Sequence, residues 1–242
     1  MKLLIIPDVH LKTRIFDEAD AVDPNKYDNI ICLGDLVDEW GMQNHQTAYE
    51  DTLERALAFD KQHPNMLWCW GNHDLSYVYA LTESGFSYHM APVVSRYMAK
   101  FESQCGKRLQ VIHEIDKTLF SHAGLCDAYV QHLPLRTKSI KSILNKINKM
   151  PTAEEYMRQL WKSRSPIWLR PDDLGYLSPD TPALTVVDHW QVVGHTPVAH
   201  PITIHGMLFA DNFSLYSNRT PIGDRRLIIV DTANRTWHYA DK

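Results

Sequence analysis

The chain has 242 residues, 44% of them hydrophobic and 22% charged, which is the composition of an ordinary globular protein. Its formal net charge is −4, so the overall charge gives no reason to expect a nucleic-acid polymer or an anionic membrane surface as partner. The sequence contains no internal repeat, low-complexity tract or linker, and we therefore expect a single domain over residues 1–242.

Apolar runs and helical spacing alternate in the first part of the chain. Residues 2–6 (KLLII) form an apolar run that stops at Pro7, and residues 30–33 form a second one. Between residues 45 and 63 the apolar positions follow helical spacing, and residues 66–70 are again an apolar run. This alternation of strands and helix predicts an α/β layered fold.

The middle of the chain changes from helical to alternating patterns. A helix is predicted within residues 86–104. Two short alternating runs follow at residues 109–113 and 118–121, and they predict a hairpin that turns at residues 114–117.

A prolonged irregular segment precedes the last strands. Residues 137–163 have helical spacing with a break at Pro151. Residues 164–183 contain four prolines and only short apolar runs, and a long loop of this kind inside a compact domain is usually functional. Further strands are predicted at residues 191–193, 202–204, 207–209, 227–230 and 236–239.

The cysteines and the length of the apolar runs indicate in which cellular compartment the protein resides. The four cysteines, Cys32, Cys69, Cys105 and Cys126, are widely spaced and fit neither a zinc knuckle nor a dense disulfide framework. We expect buried free thiols in a reducing environment. The apolar run at residues 3–6 is too short for a signal peptide, and no run approaches the ~20 residues of a membrane span. These features predict a cytoplasmic protein with no membrane partner.

Five short polar motifs follow predicted strands. They are DVH at 8–10, GDLVD at 34–38, GNHD at 71–74, SHAG at 121–124 and GHT at 194–196. In open α/β sheets, ligands bind in the crevice outside the carboxyl ends of the strands. Each motif alone is a weak signal, but five strand ends that deliver Asp, Asn and His in this order predict a metal site.

In this combination the motifs resemble those of the calcineurin-like metallophosphoesterases. The similarity is to the phosphoprotein-phosphatase branch, which includes serine/threonine phosphatases and symmetrical dinucleoside-tetraphosphate hydrolases. It implies an αββα sandwich, in which two β-sheets pack face to face and helices flank both outer sides. It also implies a phosphoester hydrolase with a dinuclear metal centre and metal-activated water.

The resemblance implies a ligand for each metal position. Asp8, His10 and Asp35 are expected to hold the first ion, and Asp35, Asn72, His122 and His195 the second. Asp35 is expected to bridge the two ions, because a carboxylate has two oxygens to share. Mixed oxygen and nitrogen ligation suits manganese, iron or zinc, and manganese is our first choice.

His73 and Asp38 are expected to supply the proton chemistry. His73 follows the expected ligand Asn72, so it can face a substrate without joining the metal shell. The resemblance implies that His73 is the general acid and that Asp38 orients its imidazole and raises its pKa. The alternative for His73 is a further metal ligand or a turn residue.

The fifth motif indicates which branch of the superfamily the chain resembles. Many metallophosphoesterases end this motif with Gly-His-x-His, whereas this chain has Pro197 at the last position, and proline cannot ligate. The resemblance to the phosphatase branch therefore implies an open first metal site. The absence of Gly-His-x-His also makes phosphodiesterase activity less favoured than phosphatase activity.

The second motif departs from the branch pattern. Relatives place a phosphate-binding arginine where this chain has Glu39 and Trp40. We expect another arginine to compensate, with Arg170 as first candidate and Arg164 as second, because a guanidinium matches two phosphate oxygens. The alternative is a surface cation, or one that packs on a neighbouring tryptophan. Glu39 and Trp40 are possible substrate contacts, since an indole stacks on a base or on a phosphotyrosine ring.

Three functions therefore remain open from the sequence. The first is a phosphomonoesterase such as a protein serine/threonine phosphatase, whose substrate is a phosphoprotein or a nucleotide. The second hydrolyses the phosphoanhydride of symmetrical dinucleoside tetraphosphates. The third is a catalytically silent binding scaffold, against which the complete set of expected ligands argues.

Overall fold

Two mixed β-sheets form the centre of the structure. The computed structural model describes residues 1–152 and 154–241, with side chains for all of these except residues 152 and 154–156. The strands are, in chain order, β1 (Lys2–Ile6), β2 (Asn29–Cys32), β3 (Leu67–Cys69), β4 (Leu109–Gln110), β5 (Ile112–Ile115), β6 (Thr118–Ser121), β7 (Trp190–Val193), β8 (Ile202–Ile204), β9 (Met207–Phe209), β10 (Ile228–Asp231) and β11 (Thr236–Tyr239).

Helices connect these strands. They are α1 (Arg14–Asp20), α2 (Gln46–Gln62), α3 (Asn72–Tyr79), α4 (Ala91–Cys105), α5 (Asp127–Gln131), α6 (Ile140–Ile147) and α7 (Glu154–Leu160), with 3₁₀ turns at Pro24–Lys26, Gly106–Arg108, Met150–Thr152 and Pro171–Leu174. None of the helices in the described part of the chain is long and apolar enough to cross a membrane.

Each sheet has parallel central strands, with antiparallel strands at one edge of the first sheet and at both edges of the second. The first sheet has the order β11-β10-β1-β2-β3-β4, and the second has the order β5-β6-β7-β9-β8. Strands β1 to β4 run parallel to one another, as do β6, β7 and β9. The parallel strands therefore bring their carboxyl ends to the same edge of each sheet.

The sheets pack face to face because the central strands are apolar on both sides. In β1, Leu3 and Ile5 pack against Val192 and Leu208 of the second sheet. Leu4 and Ile6 point to the opposite face of the sheet and pack with the flanking helices, since successive side chains of a strand point to opposite faces. This explains the uninterrupted apolar run at the N-terminus, and the predicted sandwich of two sheets flanked by helices is confirmed.

Most predicted elements are confirmed, but the hairpin differs. The turn consists of Asp116 and Lys117, both with positive φ, and β5 extends through Ile115. This is the backbone of a tight two-residue turn. The sequence pattern does not predict it, because Asp-Lys lacks the glycine that is usual in such turns. Residues 109–110 pair with β3 in the first sheet, so the run at 109–113 divides between the two sheets.

The irregular segments agree with their predictions where they are described. Residues 137–163 contain α6 and α7, separated by the 3₁₀ turn that includes Pro151, while residue 153 lies outside the described residues. The segment 164–183 has no regular element except the 3₁₀ turn Pro171–Leu174. All four cysteines are buried and free.

Candidate metal centre and active site

The expected ligands converge because five strands end at one place. Asp8 follows β1, Asp35 follows β2, and Asn72 opens α3 just after β3. His122 follows β6 and His195 follows β7 in the second sheet. All five side chains are buried. The carboxyl ends of the two sheets thus meet over a single cluster of oxygen and imidazole groups.

Two motif glycines are explained by close packing against the carboxylates. A Cβ atom on Gly71 would lie 2.0 Å from Asp35 Oδ1, and one on Gly194 would lie 2.1 Å from Asp8 Oδ1. Any side chain at either position would displace a carboxylate. Glycine is required here by space, since only a bare backbone allows so close an approach.

The first ligand cluster contains Asp8, His10 and Asp35. One potential ligand atom from each lies within 4.8 Å of the other two. His10 Nε2 is 3.8 Å from Asp8 Oδ2 and 3.7 Å from Asp35 Oδ2. His10 Nδ1 lies 2.7 Å from the carbonyl oxygen of Asp38, to which it donates when it carries the ring proton. That hydrogen bond leaves the Nε2 lone pair directed at the two carboxylates.

The second cluster surrounds His122. Its Nε2 lies 3.2 Å from Asp35 Oδ2, 2.8 Å from Asn72 Oδ1 and 3.0 Å from His195 Nδ1. Its Nδ1 lies 3.0 Å from the carbonyl oxygen of Leu33, which holds the ring in place. One ring nitrogen carries at most one proton, so it cannot hydrogen-bond to all three neighbours. A shared cation satisfies such an arrangement, and the residues fit a divalent metal.

Asp35 is the carboxylate that both clusters share. Burial opposes its ionisation, but the charges of His122 and His73 outweigh burial and hold the pKa of Asp35 below its usual range. Asp8 behaves differently, because burial and the charge of Asp211 raise its pKa well above the usual value. Buried carboxylates this close together require positive charge between them, which two divalent ions would supply.

The imidazoles respond to the same carboxylates. Burial lowers the pKa of His122, but Asp35 and Asp8 outweigh it and raise that pKa to about 9. Burial and the neighbouring charge of His122 hold the pKa of His195 well below its usual value. A neutral His195 has lone pairs available for ligation, whereas a metal must displace the proton of His122.

His73 and Asp38 form a hydrogen-bonded pair beside the clusters. His73 Nδ1 is 2.9 Å from Asp38 Oδ2. Burial lowers the pKa of His73, but Asp35 and Asp38 outweigh it and raise the pKa to about 9. His73 belongs to neither ligand cluster among the described residues, and it lines the cavity described next. The expected acid and its orienting carboxylate are therefore in contact.

A cavity of about 260 Å³ opens over the clusters. Its floor includes the ligand candidates His10, Asp35, Asn72 and His195, and its walls include His73, Asp38, Glu39, Trp40, Trp168, Arg170, Pro197 and residues 83–85. Pro197, which follows the fifth motif, thus lies at the cavity wall. The expectation of an open first metal site stays a prediction.

The two candidate arginines lie in different places. Arg170 lines the cavity and donates from Nη1 to the carbonyl oxygen of His195 at 3.2 Å. Within the described residues, it is the only arginine or lysine in that lining. Arg164 is not brought to the cavity, because its guanidinium lies 5.5 Å from the ring centre of Tyr176 and lines a separate depression. Of the two candidates, Arg170 is the one that lines the cavity.

Glu39 and Trp40 both line the cavity but differ in their surroundings. Glu39 Oε2 lies 2.7 Å from Lys12 Nζ, so a cation compensates the charge of this acid. Trp40 is 45% exposed, which places it at the rim rather than in the core. Lys12 was not singled out by the sequence, because no motif links it to Glu39.

Asp74 has a structural role that the third motif does not predict. Its Oδ2 accepts the backbone N–H groups of Gly71 and Asp35 at 3.1 and 2.9 Å, and its Oδ1 accepts that of Leu36 at 2.9 Å. Asp74 therefore ties the second and third motifs together. An acid three residues after the helix N-cap is a capping signal that would have identified it.

Asp211 is a second residue that sequence reasoning missed. It is fully buried, and its Oδ1 accepts the backbone N–H groups of Phe213 and Ser214 at 3.3 and 3.2 Å. Its backbone oxygen accepts the N–H of Val198 at 2.8 Å, which anchors the loop that carries His195. No pattern in the sequence marks this aspartate.

Comparison with known proteins agrees with this geometry. The sequence model of the calcineurin-like phosphoesterase family matches residues 1–219, and the protein therefore belongs to the calcineurin-like phosphoesterases. It is thus a hydrolase of the metallophosphoesterase class, in which a dinuclear metal centre is the rule. No curated protein matches the chain in sequence.

Two solved structures illustrate the shared fold. A cold-active protein-tyrosine phosphatase of a psychrophilic Shewanella species is 15% identical with a TM-score of 0.55, covering 99% of this chain and 80% of that one. A protein serine/threonine phosphatase from Saccharomyces cerevisiae is 13% identical with a TM-score of 0.52, covering 95% of this chain and 72% of that one. At these identities the similarity establishes the fold alone.

Proposed function

We propose that the protein is a metal-dependent phosphomonoesterase that acts on phosphoserine or phosphothreonine in proteins. The observation that carries the proposal is the meeting of two ligand clusters, a His73–Asp38 pair and Arg170 at one cavity. The clusters alone are compatible with a silent scaffold. A scaffold has no need of a histidine that faces the cavity with a carboxylate behind it.

The metal centre would use the two clusters described above. Asp8, His10 and Asp35 would hold one ion, and Asp35, Asn72, His122 and His195 the other. When bound, two divalent ions supply charge that neutralises phosphate oxygens and lowers the pKa of water at the site. We propose manganese as the native metal, with iron or zinc as alternatives that suit the same donor set.

Arg170 would bind and orient the phosphate. Its guanidinium presents parallel N–H donors that match two phosphate oxygens. Its hydrogen bond to the carbonyl oxygen of His195 fixes the side chain next to a metal ligand. Because Lys12 is paired with Glu39, Arg170 carries the uncompensated positive charge of the cavity wall.

His73 would protonate the leaving oxygen. Its Nδ1 is committed to Asp38, so Nε2 is the nitrogen that carries the transferable proton. As a water oxygen bonds to phosphorus and the P–O bond to the alcohol breaks, the proton moves from His73 Nε2 to the leaving oxygen, and the products are a neutral alcohol and inorganic phosphate. The hydrogen bond and the charge of Asp38 favour the protonated imidazole, as an acid requires.

One feature of the rim favours a second candidate. Trp40 presents a 45% exposed side chain at the cavity, and an exposed indole stacks on nucleobases. A symmetrical dinucleoside tetraphosphate offers both a base and a phosphoanhydride. The same indole also packs on a phosphotyrosine ring, so a comparison of substrates decides among the classes.

A substrate panel on metal-reconstituted protein tests the proposal. The panel contains p-nitrophenyl phosphate, peptides with phosphoserine, phosphothreonine or phosphotyrosine, a bis-aryl phosphodiester and a dinucleoside tetraphosphate. We expect the phosphoserine and phosphothreonine peptides to have the highest kcat/KM. Preference for the dinucleoside tetraphosphate would support the second candidate, and preference for the diester would contradict both. No turnover of any ester would support the scaffold.

We also propose that the protein resides in the cytoplasm. All four cysteines are buried free thiols, which suits a compartment that keeps thiols reduced. Fractionation of cells that produce the protein tests this, and recovery with an extracellular or membrane fraction would contradict it.

A further inference from the structure

We infer that Tyr49 and Tyr77 are positioning residues of the active site, whose hydroxyls hold the Asp38 carboxylate in the orientation that aligns His73 for proton donation. The inference rests on the proposed role of His73 as the acid. It assigns a function to two buried tyrosines that no motif includes.

The three contacts of Asp38 divide between its two oxygens. Tyr49 and Tyr77 both donate their hydroxyl protons to Oδ1, at 2.7 and 2.5 Å. His73 Nδ1 lies 2.9 Å from Oδ2. Because Oδ1 is occupied by the two phenols, the carboxylate cannot rotate without losing hydrogen bonds, and Oδ2 remains reserved for the imidazole.

The helices explain why the tyrosines reach Asp38. His73 and Tyr77 are four positions apart on α3, so they lie on the same face of the helix. Both contact Asp38 from that face. Tyr49 approaches from the first turn of α2, where it is fully buried. Asp38 is thus held between two helices, one of which also carries the acid.

Residues 85–87 of the cavity wall pack closely against the pair. A Cβ on Gly85 would lie 3.4 Å from Asp38 Cβ and 3.6 Å from His73 Cε1, so this stretch of the cavity wall lies directly on the pair. The Tyr77 hydroxyl oxygen also accepts the backbone N–H of Ser87 at 2.8 Å. Phe86 stacks on the Tyr77 ring with centroids 4.4 Å apart. The wall therefore packs against the same tyrosine that orients Asp38.

Loss of the Tyr49 or Tyr77 hydroxyl would remove one of the two hydrogen-bond donors of Asp38 Oδ1. A buried carboxylate oxygen without its donor is unfavourable, and networks of this kind hold their members in one arrangement only when every member is paired. We expect the carboxylate to turn toward other donors and the His73 ring to lose its alignment. Binding of phosphate at Arg170 and metal binding at the clusters involve none of these atoms.

Leaving-group dependence separates positioning from a general packing role. Tyr49→Phe, Tyr77→Phe and the double variant are reconstituted with Mn²⁺ and assayed on phenyl phosphate and 2,4-dinitrophenyl phosphate. Phenolate is a poor leaving group that needs a proton, whereas dinitrophenolate departs without one. Because general acid catalysis contributes 10²–10⁴-fold, we expect kcat on phenyl phosphate to fall about tenfold in each single variant and further in the double variant.

Three readouts accompany that loss. The KM for phenyl phosphate, the metal content and kcat on 2,4-dinitrophenyl phosphate are expected to change less than about twofold, because none of them depends on a proton from His73. His73→Asn should give the same pattern at larger amplitude. Tyr97→Phe is the matched control, since its hydroxyl also donates to a carboxylate, Glu54 Oε1 at 2.6 Å, outside the cavity.

Failure of the positioning role and failure of the proposed function give different results. An equal loss on both esters, or no loss on either, overturns the positioning role while leaving the phosphomonoesterase in place. If the unmodified protein hydrolyses neither these esters nor the phosphopeptides of the substrate panel, the proposed function fails, and a crystal structure of the double variant tests the geometry instead. Retention of the 2.9 Å contact between His73 and Asp38 in that structure overturns the inference, and its loss supports it.

Discussion

The backbone N–H of His73 donates to Oδ1 of Asp35 at 2.9 Å. This hydrogen bond connects the expected acid to the carboxylate that both ligand clusters share. It involves only the main chain of His73, so the imidazole is free to contact Asp38. The arrangement separates two roles within one residue: the backbone supports the metal centre, and the side chain faces the cavity.

Replacement of the imidazole should therefore leave the metal centre intact. In His73→Asn the backbone N–H still donates to Asp35, while the proton donor is gone. We expect two metal ions per chain, as in the unmodified protein, and a kcat lower by about 10²–10³-fold on a substrate with a poor leaving group. Elemental analysis and steady-state kinetics on the same preparation measure both. Loss of metal would show that His73 is a ligand.

Asp35→Asn should have the opposite effect. The amide removes the charge that both clusters share and leaves the imidazoles of His10 and His122 without their central carboxylate. We expect loss of both metals and of all activity at micromolar Mn²⁺. Asp17→Asn is the matched control, because Asp17 pairs with Arg55 on the surface. Retention of a full metal complement in Asp35→Asn would contradict a bridging role.

Arg170 is expected to determine the affinity for the phosphate group. Arg170→Ala removes the arginine of the cavity lining, and a hydrogen bond to a charged group contributes about 1.5–3 kcal/mol. We expect KM to rise roughly 10- to 100-fold. Arg170→Lys should recover only part of this, because an ammonium lacks the planar fork.

Arg164→Ala is the control for that experiment. Arg164 packs on Tyr176 outside the cavity, so its removal should leave KM unchanged. A rise in KM for Arg164→Ala with none for Arg170→Ala would reverse the assignment. Inhibition by inorganic phosphate, measured for each variant, checks whether the change concerns the phosphate itself.

The meeting of the expected metal ligands at one place is predictable from the sequence because each follows an apolar run. A parallel strand fixes where its carboxyl end lies, so a motif directly after it has a known position. Arg170 and Arg164 had no such reference, since both belong to a segment without strands. Lys12 was missed for the same reason, because its pairing with Glu39 depends on how two loops fold. Tyr49 lies at helical spacing from Leu53 and Ala56, which favours a core residue over a hydrogen-bond donor to Asp38.

The glycine of the third motif offers a test of close packing at the metal centre. In Gly71→Ala the new Cβ would meet Asp35 Oδ1 at 2.0 Å, so the carboxylate must move. We expect metal affinity to fall at least tenfold, while the far-ultraviolet circular dichroism spectrum is unchanged. Gly41→Ala is the control for added volume, because a Cβ there meets nothing within 4 Å, while its φ of +71° adds backbone strain without a clash. Equal metal affinity in Gly71→Ala and the unmodified protein would contradict this packing.

Asp60 provides a prediction that does not depend on the metal centre. Its carboxylate is buried and accepts hydrogen bonds from Trp68 Nε1 at 2.9 Å, Gln104 Nε2 at 2.8 Å and Arg108 Nη2 at 2.9 Å. Burial opposes ionisation, but the hydrogen bonds from Arg108, Gln104 and Trp68 outweigh it and lower the pKa of Asp60. A lowered pKa means that the folded state prefers the ionised carboxylate.

The sign of the pH dependence follows from that shift. The stabilisation by Asp60 is complete above the unfolded-state pKa of about 3.9 and is lost as the pH falls through the lower folded-state pKa. At pH 7 we expect Asp60→Asn to reduce the free energy of unfolding by about 2–3 kcal/mol, because Arg108 loses its partner. The difference should shrink below pH 4. Urea unfolding in EDTA at pH 7, 5, 4 and 3 measures it, and Asp188→Asn, at an exposed ion pair, serves as control. A difference that persists unchanged at pH 3 would contradict the lowered pKa.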